Sequence, residues 1–100
     1  ERAALQQAIK ADPTFALAQY QLGYVESREG NAAAAEQQFR LAVKAAPGYV
    51  QAWIALSASL AMQSRFPEAR EAIATALKLD PNNADALELS KNLAGDHGQP

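Results

Sequence analysis

Apolar side chains recur every three or four positions along most of this chain, and short polar stretches containing proline, glycine or asparagine interrupt them. This spacing is typical of amphipathic helices. The interruptions are periodic, because Pro13, Pro47 and Pro81 follow one another at intervals of 34 residues. The pattern predicts an all-α chain of antiparallel helix pairs with an internal repeat.

Positions one period apart carry similar side chains, mostly at apolar or small positions. The matching sets are Leu5, Phe39 and Ile73; Ala8, Ala42 and Ala76; Ile9, Val43 and Leu77; and Ala18, Ala52 and Ala86. Such agreement is expected if each repeat packs on its neighbour in the same way. Lys10, Lys44 and Lys78 also recur, and we interpret them as cations that stabilise helix C-termini.

About six helices are expected. Gly30 can adopt the left-handed conformation that ends a helix, and Asn31 can act as the N-cap of the next one. Pro67 is tolerated in the first turn of a helix. Asn82 or Asn83 is expected to cap the last helix, which should end near Leu93 or Ala94. The other predicted helices are Phe15–Glu29, Ala32–Ala45, Tyr49–Gln63 and Pro67–Leu79, preceded by one within residues 1–13.

Composition narrows the function classes. Apolar residues make up 49% of the chain, but 24 of them are alanine, so the core must be thin. The net charge is −2 with acids and bases interspersed, which is unlike a nucleic-acid-binding surface. The uncharged run from Ala45 to Ser64 contains Pro47 and Gly48 and is a poor membrane span. We expect a soluble protein, and the absence of cysteine fits the cytoplasm and the periplasm equally.

Catalytic chemistry is not indicated. His97 is the only histidine and has no cysteine or second histidine with which to bind a metal. No glycine-rich phosphate loop occurs, and the acidic pairs Glu26/Glu29 and Glu68/Glu71 are typical of solvated helix faces. We therefore expect no enzymatic activity, no cofactor and no metal.

The repeated residues resemble the tetratricopeptide repeat pattern, in which a bulky residue, Leu-Gly, Ala, Phe, Ala and Pro occur at set intervals over 34 residues. The first full copy offers Gln19, Leu22, Gly23, Ala35, Phe39, Ala42 and Pro47; the second offers Trp53, Leu56, Ser57, Ala69, Ile73, Ala76 and Pro81. Gln19, Ser57 and Ile73 depart from the pattern.

The resemblance implies a right-handed α-α superhelix. It divides the chain into two complete repeats, 16–49 and 50–83, preceded by the second helix of a partial repeat in 1–13. Residues 84–94 would form the first helix of a partial or capping repeat. Residues 95–100 are expected to be a flexible tail.

In this family the first helix of each pair lines a concave groove that binds peptides or helices of other proteins. The corresponding positions here are Leu17, Tyr20, Tyr24, Gln51, Ile54, Ala58, Met62, Asp85 and Glu88. They predict a groove that is aromatic at one end and acidic at the other. Tyr20 and Ile54 could instead serve only as packing inside the stack.

The resemblance implies a protein-interaction scaffold with a protein or peptide ligand. Some relatives bind the acidic C-terminal tails of heat-shock chaperones through a clamp of basic and amide side chains. The matching positions here are Tyr20, Tyr24, Ala55, Asp85 and Leu89, none of which fits, so we expect no such activity.

Two alternatives stay open. One is self-association through exposed ends, by stacking or helix exchange, using Leu5 and Ile9 or Leu87, Leu89 and Leu93. The other is an accessory segment of a larger enzyme or of a secretion or envelope assembly protein.

Overall fold

A computed structural model describes residues 2–12 and 14–98, with side chains described through residue 95. It contains six helices: α1 (Arg2–Ala11), α2 (Ala16–Arg28), α3 (Ala32–Ala45), α4 (Val50–Met62), α5 (Phe66–Leu79) and α6 (Ala84–Gly98). No strand occurs within this described part. The predicted all-α architecture is confirmed, and the four internal helices lie within one residue of their predicted bounds at each end.

The helices form two layers. Each helix packs against the next one along the chain, α2 also contacts α4, and α4 also contacts α6. On the other side the backbones of α3 and α5 stay apart, and an ion pair between Arg40 Nη2 and Glu68 Oε2, at 3.8 Å, bridges the two helices. The molecule is elongated, at 47 × 27 × 18 Å. The layer of α2, α4 and α6 is therefore the more closely spaced one and lies on the inner side of the curve.

Small side chains allow the helices to approach closely. The fully buried alanines are Ala35, Ala42, Ala52, Ala69, Ala76 and Ala86, each with no exposed surface. Larger side chains, chiefly Phe39, Leu60, Ile73 and Leu93, fill the space between them and are almost fully buried. The core is thus one continuous cluster shared by neighbouring repeats.

The contact between Gly23 and Phe39 is the tightest case of this close approach. A Cβ atom added to Gly23 would lie 2.5 Å from Cε1 of the Phe39 ring. One period later the pair is Ser57 and Ile73. Ser57 is completely buried, and its hydroxyl donates a 2.7 Å hydrogen bond to the carbonyl of Ala69. Compared with the first pair, the second has a larger residue in α4 and a smaller one in α5, and we infer that the two departures from the repeat pattern compensate each other.

The turn inside each repeat uses a left-handed residue. Gly30 has a φ of +81° and Ser64, 34 positions later, has a φ of +60°. Glycine adopts this conformation without strain, whereas serine does so at a cost of about 1–2 kcal/mol. The prediction for Gly30 is confirmed, and the second turn takes the same shape without a glycine.

The two predicted asparagine caps behave differently. The Asn83 side chain accepts a 2.9 Å hydrogen bond from the backbone N–H of Ala86, which confirms a cap on α6. Asn31 occupies the N-cap position of α3, but its side chain makes no cap hydrogen bond. Its amide donates instead to the Glu26 carboxylate at 3.1 Å. Asn31 therefore stands at the predicted N-cap position, but its side chain is held by Glu26 and does not supply the capping hydrogen bond.

A buried carboxylate ties one repeat to the next. Glu36 in α3 is 5% exposed and accepts hydrogen bonds from Arg40 Nε at 2.7 Å, Arg65 Nη1 at 2.6 Å and Gln63 Nε2 at 3.0 Å. Burial alone would raise the pKa of Glu36. The hydrogen bonds from Arg40 and Gln63 and the charges of Arg40 and Arg65 outweigh burial and lower that pKa below its ordinary value. Glu36 is therefore ionised, and it holds α3 against the turn between α4 and α5.

The C-terminal helix differs from expectation. It continues to Gly98, beyond the predicted end at Leu93 or Ala94. Leu93 is 1% exposed, so its predicted place on an exposed end is wrong: it packs into the core shared with α5. Leu89 is half-buried against that core, and Leu87 is exposed. The flexibility of 95–100 stays a prediction, and Glu1, Pro13, Gln99 and Pro100 lie outside the described residues.

Gly23→Ala should destabilise the chain by about 1–3 kcal/mol, because the new methyl group overlaps the Phe39 ring. Phe39→Ile removes that ring, so the double variant should be more stable than the two single losses predict. Urea unfolding of the four proteins measures the coupling. Additive losses would show that Gly23 does not depend on the Phe39 ring.

Glu36→Gln should cost about 1–3 kcal/mol at pH 7, because Arg40 and Arg65 lose their anionic partner. A lowered pKa means that this contribution is present above the ordinary glutamate pKa, about 4.3, and is lost as the pH falls below it. The difference from the parent chain should therefore shrink at low pH in urea unfolding. Glu88→Gln, an exposed control, should change stability by less than about 0.5 kcal/mol. A difference for Glu36→Gln that is independent of pH would contradict this account.

Candidate peptide-binding groove

All nine predicted groove residues lie on α2, α4 and α6, the helices of the inner layer. Three large apolar side chains are exposed: Leu17 is 46%, Tyr24 is 49% and Met62 is 57% accessible. Gln51, Asp85 and Glu88 are also exposed, whereas Tyr20, Ile54 and Ala58 are half-buried. The face therefore presents separate apolar side chains above a partly buried floor.

The floor at the α2 end is an aromatic cluster made of Tyr20, Tyr24, Phe39 and Tyr49. Ring centroids of Tyr20 and Tyr24 lie 5.1 Å apart at an interplanar angle of 89°, and Tyr24 meets Phe39 edge-on at 6.1 Å. Tyr20 also lies 5.1 Å from Tyr49. Edge-to-face pairs of this kind stabilise by about 0.5–1.5 kcal/mol. Tyr24 is thus half exposed, while its ring is held in place by its neighbours.

The hydroxyl groups of Tyr20 and Tyr49 stay protonated at neutral pH. Burial, followed by a hydrogen bond with Tyr24, raises the pKa of Tyr20 well above its ordinary range. Burial also raises the pKa of Tyr49. These two residues therefore contribute neutral rings and hydroxyl groups to the cluster.

Tyr20 and Ile54 both contribute to packing. Each is half-buried and packs against the continuous core. Neither is fully enclosed, so each also contributes part of the inner surface. The packing role left open by the sequence is therefore observed for both residues, and their place in a binding groove stays a prediction.

The acidic end of the face lies on α6. Asp85 belongs to its first turn, and Glu88 follows three residues later on the same side of the helix. Both side chains are exposed. The inner surface therefore changes from aromatic on α2 to negatively charged on α6.

Sequence reasoning missed a cavity beside Tyr24. It has a volume of about 290 Å³ and is lined by Leu5 of α1 and by Gln21, Tyr24, Val25 and Arg28 of α2. Leu5 and Tyr24 are 19 positions apart, so only the packing of α1 on α2 brings them together. Tyr24 thus borders both the inner face and this cavity.

Within the described part of the chain, no group of three or more His, Cys, Asp or Glu side chains is placed to hold a metal ion. The helices described are all too short or too polar to cross a lipid bilayer.

Two tetratricopeptide repeat sequence families match the chain, over residues 27–93 and 2–50. No curated protein matches it. Among solved structures, the first such domain of Spaghetti (RPAP3), bound to the HSP90 peptide SRMEEVD, is 22% identical with a TM-score of 0.89. That comparison covers 93% of this chain and 74% of the other.

The second tetratricopeptide domain of human RPAP3, in complex with the HSP70 peptide SGPTIEEVD, is 19% identical with a TM-score of 0.90, covering 94% of this chain and 78% of that one. MamA RS-1 is 21% identical with a TM-score of 0.83, covering 92% and 52% respectively. These likenesses show the same fold, and the family matches extend over most of the sequence. The chain belongs to the tetratricopeptide repeat family.

Proposed function

We propose that this chain is a protein-interaction scaffold whose inner face, formed by α2, α4 and α6, binds a peptide or helical segment of a partner protein without catalysing a reaction. The observation that carries this proposal is that Leu17, Tyr24 and Met62 are exposed on helices of one layer, which also carry the half-buried Tyr20, Ile54 and Ala58. A grouped apolar surface commonly marks an interaction site, whereas single exposed apolar residues do not.

The side chains of this face suit recognition of a protein segment. Tyr24 is fixed by its edge-on contacts with Tyr20 and Phe39, so little entropy is lost when a ligand packs on it. Met62 is unbranched and adapts to ligands of different shape. A rigid aromatic anchor beside an adaptable side chain supports binding of an extended or helical segment.

The related structures support the class of ligand. Two domains of RPAP3 with this fold were solved with peptides bound, one from HSP90 and one from HSP70. We therefore propose that the partner of this chain is also a protein segment.

The charge of the inner face argues against the acidic peptides that those relatives bind. Asp85 places a carboxylate where the chaperone clamp has a cation, and Ala55, at another clamp position, is buried. Leu89, at a third position, is half-buried against the core. We propose instead a ligand that is apolar where it meets Tyr24 and is neutral or basic near α6.

Peptides selected from a displayed random library should test the groove. The double variant Tyr24→Ala with Met62→Glu should weaken binding of the selected peptides by at least about tenfold, because both residues contact the ligand. Both side chains are half exposed, so helicity and melting should change little. Leu41→Ala, an equally exposed apolar residue on α3, is the matched control and should bind normally. Equal binding by the groove variant and the parent would refute the proposal.

The peptide SRMEEVD should show no saturable binding to this chain in calorimetric titration at low salt. Asp85 and Glu88 repel its carboxylates, and no clamp cation stands at the matching positions. The RPAP3 domain solved with this peptide is the positive control. Tight binding that weakens as salt is added would show that the acidic-tail specificity is retained here.

A further inference from the structure

A second cleft lies on the outer face of the molecule, away from the proposed groove. Because the backbones of α3 and α5 stand apart, bridged by the ion pair between Arg40 and Glu68, part of α4 is left uncovered between them. The resulting cavity has a volume of about 310 Å³. Its main lining residues are Trp53, Leu56 and Leu60 on the floor, Arg40 on one wall, and Glu68 and Glu71 on the other. None of these belongs to the nine groove positions.

Trp53 gives this cleft an aromatic floor. Its indole N–H already donates a 2.8 Å hydrogen bond to the Pro47 carbonyl, which fixes the ring. The ring also packs against the core. What Trp53 can offer an occupant is therefore the π face of the indole, and tryptophan is the aromatic side chain that attracts cations most strongly.

The charges around the cleft leave one carboxylate unmatched. Arg40 is paired with Glu36 at 2.7 Å. Both carboxylate oxygens of Glu68 accept hydrogen bonds from Arg65, at 2.8 and 2.9 Å. Arg40 also lies 3.8 Å from Glu68, and Arg65 lies 2.6 Å from Glu36, so these two arginines and two glutamates form one network that is neutral overall. The exposed Glu71 carboxylate makes no ion pair or hydrogen bond with the residues the structure describes, and only its backbone carbonyl is engaged, by Thr75 Oγ1.

The equivalent cleft one repeat earlier has different chemistry. It also has a volume of about 310 Å³ and is lined by Thr14, by Gln19 of α2 and by Leu41 and Lys44 of α3, among others. Gln19 stands one period before Trp53, so the aromatic floor is missing. Ala34 and Gln37 stand one period before Glu68 and Glu71, so the acidic wall is missing as well. The combination of an indole face with an unmatched carboxylate is therefore particular to the cleft over α4.

We propose that the cleft between α3 and α5 binds an arginine side chain presented by a partner protein. Its guanidinium stacks on Trp53 and pairs with the Glu71 carboxylate, and its aliphatic stem occupies the space between α3 and α5. Arginine suits this site better than lysine, because the planar guanidinium can stack on an aromatic ring and form paired hydrogen bonds with a carboxylate at the same time. The volume is at the low end for ligand pockets, about 300–1,000 Å³, which fits one or two side chains.

Tryptophan fluorescence can test this directly, because Trp53 is the only tryptophan in the chain. The probe is a blocked pentapeptide with arginine between two leucines; its match carries citrulline, which has the same shape and no charge. The arginine peptide should change the Trp53 emission saturably and shift its indole N–H resonance. The citrulline peptide should bind roughly tenfold more weakly. No saturable change, or equal binding of the two peptides, would overturn the proposal.

Two variants distinguish binding in the cleft from non-specific electrostatic attraction of the peptide to the protein. Glu71→Gln should weaken binding of the arginine peptide by roughly tenfold, to the level of the citrulline peptide. Glu29→Gln removes the same charge from the end of α2 and should leave binding unchanged. If both variants weakened binding equally, the affinity for the peptide would depend on the net charge of the protein and not on Glu71, and the assigned site would be wrong. Circular dichroism should show unchanged helicity for both variants.

Discussion

Close approach of helix backbones is the condition on which the packing of this chain depends. With few large apolar residues, the helices can exclude water only where alanine or glycine lets the backbones come together. The buried alanines and Gly23 create those contacts, and Phe39 and Ile73 fill the remaining space. Because the contacts recur every 34 residues, one packing solution serves successive helix pairs, and one continuous cluster of buried residues extends from α3 to α6.

The unequal spacing of the two layers gives the molecule two different surfaces. The helices of the inner layer contact one another, so the side chains on the solvent-facing side of that layer form one surface. The outer helices α3 and α5 are separated, so a gap opens over Trp53. The proposed groove and the proposed arginine cleft are thus consequences of one curvature. They use opposite sides of α4, which allows a single partner, or two partners, to be bound at both.

The sequence predicted the helices, the turns and the layer to which each groove residue belongs, because all three follow from periodicity and local chemistry. It failed where tertiary contacts decide. The Asn31 side chain donates a hydrogen bond to Glu26 and makes none to the backbone of α3. Leu93 is buried by the approach of α5. The pocket beside Tyr24 and the cleft over Trp53 arise from how far apart helices stand. The distance between helices cannot be read from the pattern of residue types along the sequence.

The matched pairs Gly23/Phe39 and Ser57/Ile73 also bear on how such an array can change length. Loss of one 34-residue unit between the two turns would set Gly23 against Ile73 and leave a void. Gain of a unit at the same place would set Ser57 against a second copy of Phe39, and the side chains would collide. Loss or gain of one repeat should therefore lower the stability of the protein in either case. The sizes of these four side chains suit the present order of the two repeats.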